Sequence, residues 1–151
     1  MTTHNKYGKS YSVKDDLGNL SLEWMFYNPY TVITEFPRGV GNDECVTLAQ
    51  DLLNMPSTEY WFEDFGTEVF GNPRIKKGAV IATFIDGVYK SLPHGNHVAI
   101  YVGQSRDGIV VIDQWRSKPP SRRQIQADNR KARSDNAFAF SVVRTSNIRR
   151  R

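Results

Sequence analysis

The sequence predicts an α+β protein in which an N-terminal helix packs on an antiparallel β-sheet. One segment, 45–52, has helical periodicity, because its apolar residues recur at intervals of three and four positions. Four later segments have the short apolar or alternating pattern of strands: 78–85, 97–102, 109–115 and 136–144. One helix followed by several consecutive strands is typical of the α+β class.

The length and composition favour one domain. The chain has 151 residues, 39% of them hydrophobic, so residues 1–151 can form one compact core. No apolar run approaches the roughly 20 residues that cross a bilayer. The N-terminal stretch MTTHNKYGKSYSVKDD lacks the apolar centre of a secretory signal peptide. We expect synthesis in the cytoplasm, no membrane insertion, and a partly loose segment over 1–20.

A loop leads into the helix. Upstream of the loop, Pro29 prevents a long regular element in the aromatic segment 21–36. Proline and glycine residues then make 37–41 a loop. Asn42 or Asp43 is expected to cap the helix that follows.

The strands follow a mixed segment. GAVIATFI, starting at Gly78, is apolar and β-branched, and the turn Asp86-Gly87 follows it. HVAIYVG and IVVIDQW, joined by the turn QSRDG, predict a hairpin. NAFAFSVVR, 136–144, alternates apolar residues and predicts a last strand.

The net charge of +4 is unevenly distributed. Basic residues cluster after the hairpin and at the C-terminus: Arg116, Lys118, Arg122, Arg123, Arg130, Lys131, Arg133, Arg149, Arg150 and Arg151. Such clusters favour anionic partners such as acidic cell-wall polymers, but a solvated loop and a frayed tail are equally ordinary explanations. No nucleic-acid-binding motif is present, so we expect no nucleic-acid partner.

The hairpin brings a histidine and a carboxylate together. If Val102 lies opposite Gly108, then His97 faces Asp113, and opposite residues of an antiparallel pair point to the same face. A carboxylate beside an imidazole fixes its tautomer and stabilises its cation, as in a general base. A structural His–Asp pair near a sheet edge would look the same.

The lone cysteine, Cys45, lies in the first turn of the helix. The positive end of the helix lowers the pKa of a thiol there, and a neighbouring imidazolium lowers it further. The thiolate could attack a carbonyl carbon, and the Cys45 backbone N–H, with a side chain from Asn42, could bind the oxyanion. Cys45 could instead fill the core.

Two tryptophans and a second histidine are further candidates for the site. Trp61 and Trp115 could line a substrate groove, although aromatic residues more often belong to the core. His94 lies in a loop and is a weaker candidate for the base. A zinc site needs three or four converging ligands, and we expect neither a metal nor a cofactor.

The ordered segments GNDECVTLAQ, KKGAVIATF, GNHVAIYVG and GIVVIDQW resemble the papain-like cysteine amidohydrolases of the CHAP and NlpC type. The DQW ending and the ATF strand are more similar to bacterial amidase effectors of type VI secretion. The resemblance covers roughly 37–116. It implies Cys45 as nucleophile, His97 as base and Asp113 as the orienting acid.

The resemblance also implies a substrate and partners. Such an enzyme cleaves an amide bond in peptidoglycan stem or cross-bridge peptides through a thioester acyl-enzyme. An effector would be exported by a dedicated secretion apparatus into the periplasm of a target cell, and would have a cognate immunity protein. Two alternatives remain at this point: a non-catalytic basic module that binds an anionic polymer, and a cysteine acyltransferase on the same fold.

Overall fold

The structure, a computed structural model, describes residues 5–146 as two antiparallel sheets and two α-helices. The helices are α1 (Tyr30–Glu35) and α2 (Cys45–Leu53). The strands are β1 (Gly8–Lys14), β2 (Leu20–Phe26), β3 (Trp61–Phe62), β4 (Val80–Thr83), β5 (Val98–Ser105), β6 (Gly108–Trp115), β7 (Lys118–Gln126), β8 (Phe140–Val142) and β9 (Arg144–Thr145). One sheet has the order β1-β2-β9-β3, and the other β7-β6-β5-β4-β8.

Helix α2 packs against β5 and β6 of the larger sheet. Its buried face, Leu48, Ala49, Leu52 and Leu53, joins a core cluster with apolar residues of those strands. The helix ends where Asn54 adopts a left-handed conformation, φ 61°. The predicted helix-on-sheet arrangement is therefore confirmed.

The two sheets meet at Gly78. The Phe26 backbone N–H donates to the Gly78 carbonyl oxygen (2.8 Å), and a β-bridge joins Met25 to Ala79. Gly78 has φ +98°, and a Cβ there would collide with the Phe26 carbonyl oxygen. Only glycine fits at this crossing point. The close contact places the start of the larger sheet directly against β2.

The N-terminal segment is more ordered than the sequence predicts. Gly8–Lys14 forms β1 and pairs in continuous register with β2, so the expectation of a loose segment is wrong for these residues. Exposed residues alternate with buried or half-buried ones along this edge strand, and most of its residues are polar, so its pattern resembles that of a loop. Residues 1–4 lie outside the described part of the chain.

The basic stretch after the hairpin contains a strand. The sequence is compatible with a solvated loop over 116–133, but Lys118–Gln126 forms β7 at the edge of the larger sheet. Prolines at 119 and 120 are compatible with an edge strand, which leaves N–H positions unpaired. The arginines at 149–151 lie outside the described residues.

The predicted last strand is divided. Ala137–Ala139 forms a 3₁₀ turn, β8 then joins the larger sheet, and β9 joins the smaller one. The alternating apolar pattern of 136–144 therefore serves two sheets. Neither α-helix of the described chain is long and apolar enough to cross a membrane.

Candidate active site

Cys45 is the first residue of α2, at the point where the helix meets the larger sheet. The first N–H groups of a helix have no intrahelical acceptor, so the Cys45 backbone N–H is a candidate donor to a bound oxyanion. The cap differs from the prediction, because Glu44 is the N-cap and makes no side-chain cap bond. Asn42 instead accepts hydrogen bonds from the Glu44 backbone N–H and the Thr47 hydroxyl.

His97 is held immediately before β5. Its backbone N–H donates to the Thr83 hydroxyl, and its carbonyl oxygen accepts from the Thr83 backbone N–H, both at 3.0 Å. Its ring is buried, and Nε2 lies 2.7 Å from Asp113 Oδ2. Since Nε2 is bonded to Asp113, Nδ1 is the nitrogen available to the Cys45 thiol.

The predicted contact between His97 and Asp113 is confirmed, but the predicted register is wrong. Tyr101 pairs with Val111 rather than with residue 109, and a bulge at residue 102 shifts the pairing beyond it. The true register differs by two residues on the His97 side of the bulge, which preserves the face. His97 therefore reaches Asp113 across a diagonal instead of directly.

Asp113 is fully buried and has two cationic partners that the sequence analysis missed. Lys118 Nζ lies 3.1 Å from Oδ1, and Arg123 Nε lies 2.8 Å from Oδ2. Burial would raise the pKa of Asp113, but the hydrogen bond and charge of His97, with the charges of Arg123 and Lys118, lower it. The carboxylate is therefore ionised. A buried charge inside the apolar strand IVVID needs partners of opposite charge. The basic stretch that follows the strand was the sequence feature from which these partners could have been predicted.

The thiol and imidazole perturb each other's pKa. Burial would raise the pKa of Cys45, but the hydrogen bond and charge of His97 lower it, with help from the Val98 backbone and the Tyr89 hydroxyl. Burial would lower the pKa of His97, but its bonds to Asp113 and Cys45 raise it. Both shifts favour a thiolate beside an imidazolium.

Gln114 ties the sheet to the loop before Cys45. Its side chain is fully buried and accepts from the Val40 backbone N–H at 2.9 Å. Its Nε2 donates to the carbonyl oxygens of Val40 (3.1 Å) and Glu44 (2.8 Å). These three bonds fix the N-cap of α2 relative to Asp113, the preceding residue of β6. A glutamine inside an apolar strand was the sequence feature from which this buried hydrogen-bonding role could have been predicted.

The two tryptophans have different surroundings. Trp61 is fully buried and its Nε1 donates to the Pro56 carbonyl oxygen, so the prediction that it lines a groove is wrong. Trp115 is 38% exposed, and its ring lies 6.2 Å from that of His97. It also packs against the cations of Lys118 and Arg123. Its role in substrate binding stays a prediction.

The remaining site predictions concern Asn42, His94 and metals. Asn42 is exposed, and its amide nitrogen is the side-chain group that can donate to an oxyanion; that role stays a prediction. His94 is exposed. Within 5–146, no group of three or more His, Cys, Asp or Glu side chains gathers to hold a metal ion.

A thiol at a helix N-terminus, an imidazole just before the facing strand and a carboxylate on the next strand are arranged as in the class of papain-like folds. The comparisons narrow the class to a family. A family model described as domesticated amidase effector 2 matches residues 23–143, and the chain belongs to this family.

Related proteins agree with the family. A "Type VI secretion amidase effector 2 protein" of Salmonella typhi is 40% identical over 114 residues, covering 72% of this chain and 81% of that protein. "Domesticated amidase effector 2" of Ixodes scapularis is 38% identical over 95 residues, covering 60% of this chain and 63% of that protein.

A solved structure of "Type 6 secretion amidase effector 2" superposes with a TM-score of 0.73 at 32% identity, covering 82% of this chain and 95% of that one. The predictions of a papain-like α+β fold, of an amidase and of a likeness to type VI secretion effectors are confirmed.

Proposed function

We propose that this amidase cleaves an amide bond in the peptide part of bacterial peptidoglycan, with Cys45 as nucleophile. The observation that carries the mechanism is the continuous set of contacts from Cys45 to His97 and from His97 to Asp113. In this proposal the catalytic unit is the single domain of the chain.

The reaction follows from the site's charges. The Cys45 thiolate attacks the amide carbonyl carbon, and the Cys45 backbone N–H helps to bind the resulting oxyanion. The His97 imidazolium donates its proton to the leaving amine, the C–N bond breaks, and a thioester forms. A water molecule, deprotonated by His97, then attacks the thioester, which releases a carboxylic acid and regenerates the Cys45 thiolate beside the His97 imidazolium.

Asp113 orients and charges His97 in this scheme. Its bond to Nε2 directs Nδ1 towards Cys45, and its negative charge stabilises the imidazolium. Lys118 and Arg123 keep the carboxylate ionised in its buried position. They act on the reaction through Asp113 and are positioning residues.

The relatives' names support the delivery route. The Salmonella typhi relative is named as a type VI secretion amidase effector, and we propose that this chain is likewise an antibacterial effector exported by such an apparatus into the periplasm of a target cell. A cognate immunity protein that covers the cleft near Cys45 belongs to the same proposal.

The test is mass spectrometry of purified peptidoglycan fragments incubated with the wild type, Cys45→Ala and a pair of histidine variants. We expect new peptide products from the wild type and none from Cys45→Ala or His97→Ala. His94→Ala is the matched control, since His94 is exposed and the variant should keep wild-type activity. Cleavage by folded Cys45→Ala, or loss of activity in His94→Ala with retention in His97→Ala, would refute the proposed roles.

A further inference from the structure

Tyr89 is a buried tyrosine that contacts the Cys45 thiol, and the scheme above gives it no role. It lies in the segment between β4 and β5, and only 7% of it is exposed. Its ring packs against Trp61, with centroids 5.5 Å apart, and edge-on against Phe84 at 6.4 Å. Its hydroxyl is close enough to the Cys45 side chain to lower the pKa of the thiol. The ring is thus fixed by the core, and its polar end lies at the reacting sulfur.

Asn96 determines the direction of the Tyr89 hydroxyl. The Asn96 side-chain Nδ2 donates to Tyr89 Oη at 3.3 Å. A phenol oxygen that accepts this bond has its own proton free for another acceptor. The acceptor in contact is Cys45, so the Tyr89 O–H donates towards the sulfur.

One further observation fits a donor at this position. Burial, and then the negative charge of Cys45, raise the pKa of Tyr89, so the phenol keeps its proton while the thiolate is present.

We propose that Tyr89 is a catalytic residue that donates a hydrogen bond first to the Cys45 thiolate and then to the oxyanion, with Asn96 as its positioning residue. The inference rests on the proposed function. In the tetrahedral intermediate the oxyanion is bonded to the carbon that Cys45 has attacked, so a donor in contact with the sulfur is also within reach of that oxygen. The proton stays on Tyr89 throughout, and no bond to it breaks.

The test compares two buried tyrosines. Tyr101 is also buried, and its hydroxyl likewise accepts a bond from an amide, Gln104 Nε2 at 3.0 Å, but it belongs to the other core cluster. Tyr89→Phe and Tyr101→Phe each remove one buried hydroxyl. The readouts are kcat and KM on peptidoglycan fragments, and the rate of Cys45 alkylation by iodoacetamide against pH, which gives the thiol pKa.

We expect Tyr89→Phe to lower kcat by about 10²-fold, the usual effect of removing one oxyanion donor, with little change in KM. We expect the thiol pKa to rise in Tyr89→Phe and to stay unchanged in Tyr101→Phe. Asn96→Asp is the second variant, because a carboxylate cannot donate to Tyr89 and instead accepts a hydrogen bond from its hydroxyl, which turns that hydroxyl away from Cys45. It should lower kcat and raise the thiol pKa even if Tyr89→Phe fails to fold.

The failures are distinguishable. If Cys45→Ala is inactive but Tyr89→Phe has the kcat and thiol pKa of the wild type, the role of Tyr89 alone is overturned. If Tyr89→Phe does not fold, the same result in Asn96→Asp overturns it. Equal loss of kcat in Tyr89→Phe and Tyr101→Phe would also overturn it. Cleavage by Cys45→Ala would overturn the proposed function, and this inference with it.

Discussion

Replacement of Gln114 by leucine should damage both stability and catalysis. The substitution removes three hydrogen bonds, and the buried Val40 N–H is left without an acceptor. The carbonyl oxygens of Val40 and Glu44 still accept from the backbone N–H groups of Asp43 and Thr47. The unsatisfied N–H costs about 1–3 kcal/mol and each of the other two lost bonds about 0.5–1.5 kcal/mol, which gives a loss in the free energy of unfolding of about 2–6 kcal/mol.

The loss is large beside the total stability, about 5–15 kcal/mol for a typical domain. It corresponds to a fall in Tm of about 4–24 °C at this chain length. Denaturant titration monitored by circular dichroism measures the loss. Because the bonds fix the N-cap of α2, we also expect the Cys45 thiol pKa to rise and kcat to fall at a temperature where the variant remains folded.

Gln104→Leu is the matched control. The Gln104 amide also holds a loop, through bonds with the Val69 carbonyl and the Gly71 N–H among others, but away from Cys45. It should lose stability and keep the activity of its folded fraction. A Gln114→Leu protein within about 0.5 kcal/mol of wild type, the range of neutral surface changes, would refute the reasoning, as would equal losses of activity in the two variants.

Three further predictions follow from the same contacts. The plot of kcat/KM against pH should be bell-shaped, because activity falls as the pH drops through the lowered pKa of Cys45 and falls again as the pH rises through the raised pKa of His97. An activity that only rises with pH, with its midpoint above about 8.5, the ordinary thiol pKa, would contradict this. Arg123→Met should destabilise the fold by about 1.5–3 kcal/mol, the value of a hydrogen bond to a charged group. The lowered pKa of Asp113 stabilises the wild-type fold above about pH 3.9, and this stabilisation is lost as the pH falls. The Arg123→Met variant should therefore lose less stability than the wild type on acidification. An identical pH dependence of the two unfolding free energies would count against the ion pair. Trp61→Ala should cost about 3–5 kcal/mol by opening a core cavity while its folded fraction stays active; a folded, stable variant without activity would restore Trp61 to the substrate groove.

The sequence was sufficient for features that depend on local pattern. The helix beginning at Cys45 follows from apolar spacing, and the contact of His97 with Asp113 follows from alternation along two strands. A register error of two residues did not affect that contact, because side chains repeat with period two. An error of one residue would have separated the two side chains.

Features that depend on long-range pairing were not predicted. The polar strand β1 looks like a loop until it pairs with β2. The strand β7 looks like a solvated basic segment until its Lys118 and Arg123 reach a buried carboxylate. Tyr89 contacts Cys45 from a segment that carries no motif of its own, so only the folded chain brings them together.

The central claim is that amide cleavage passes through a thioester on Cys45. Hydroxylamine competes with water for such a thioester and gives a hydroxamate at the carbonyl that is cleaved. We therefore predict that the wild type, incubated with peptidoglycan fragments and neutral hydroxylamine, yields hydroxamate in proportion to the hydroxylamine concentration, and that Cys45→Ala yields neither hydroxamate nor free acid. Wild-type cleavage that gives only free carboxylic acid at every hydroxylamine concentration, together with cleavage by Cys45→Ala, would contradict the account.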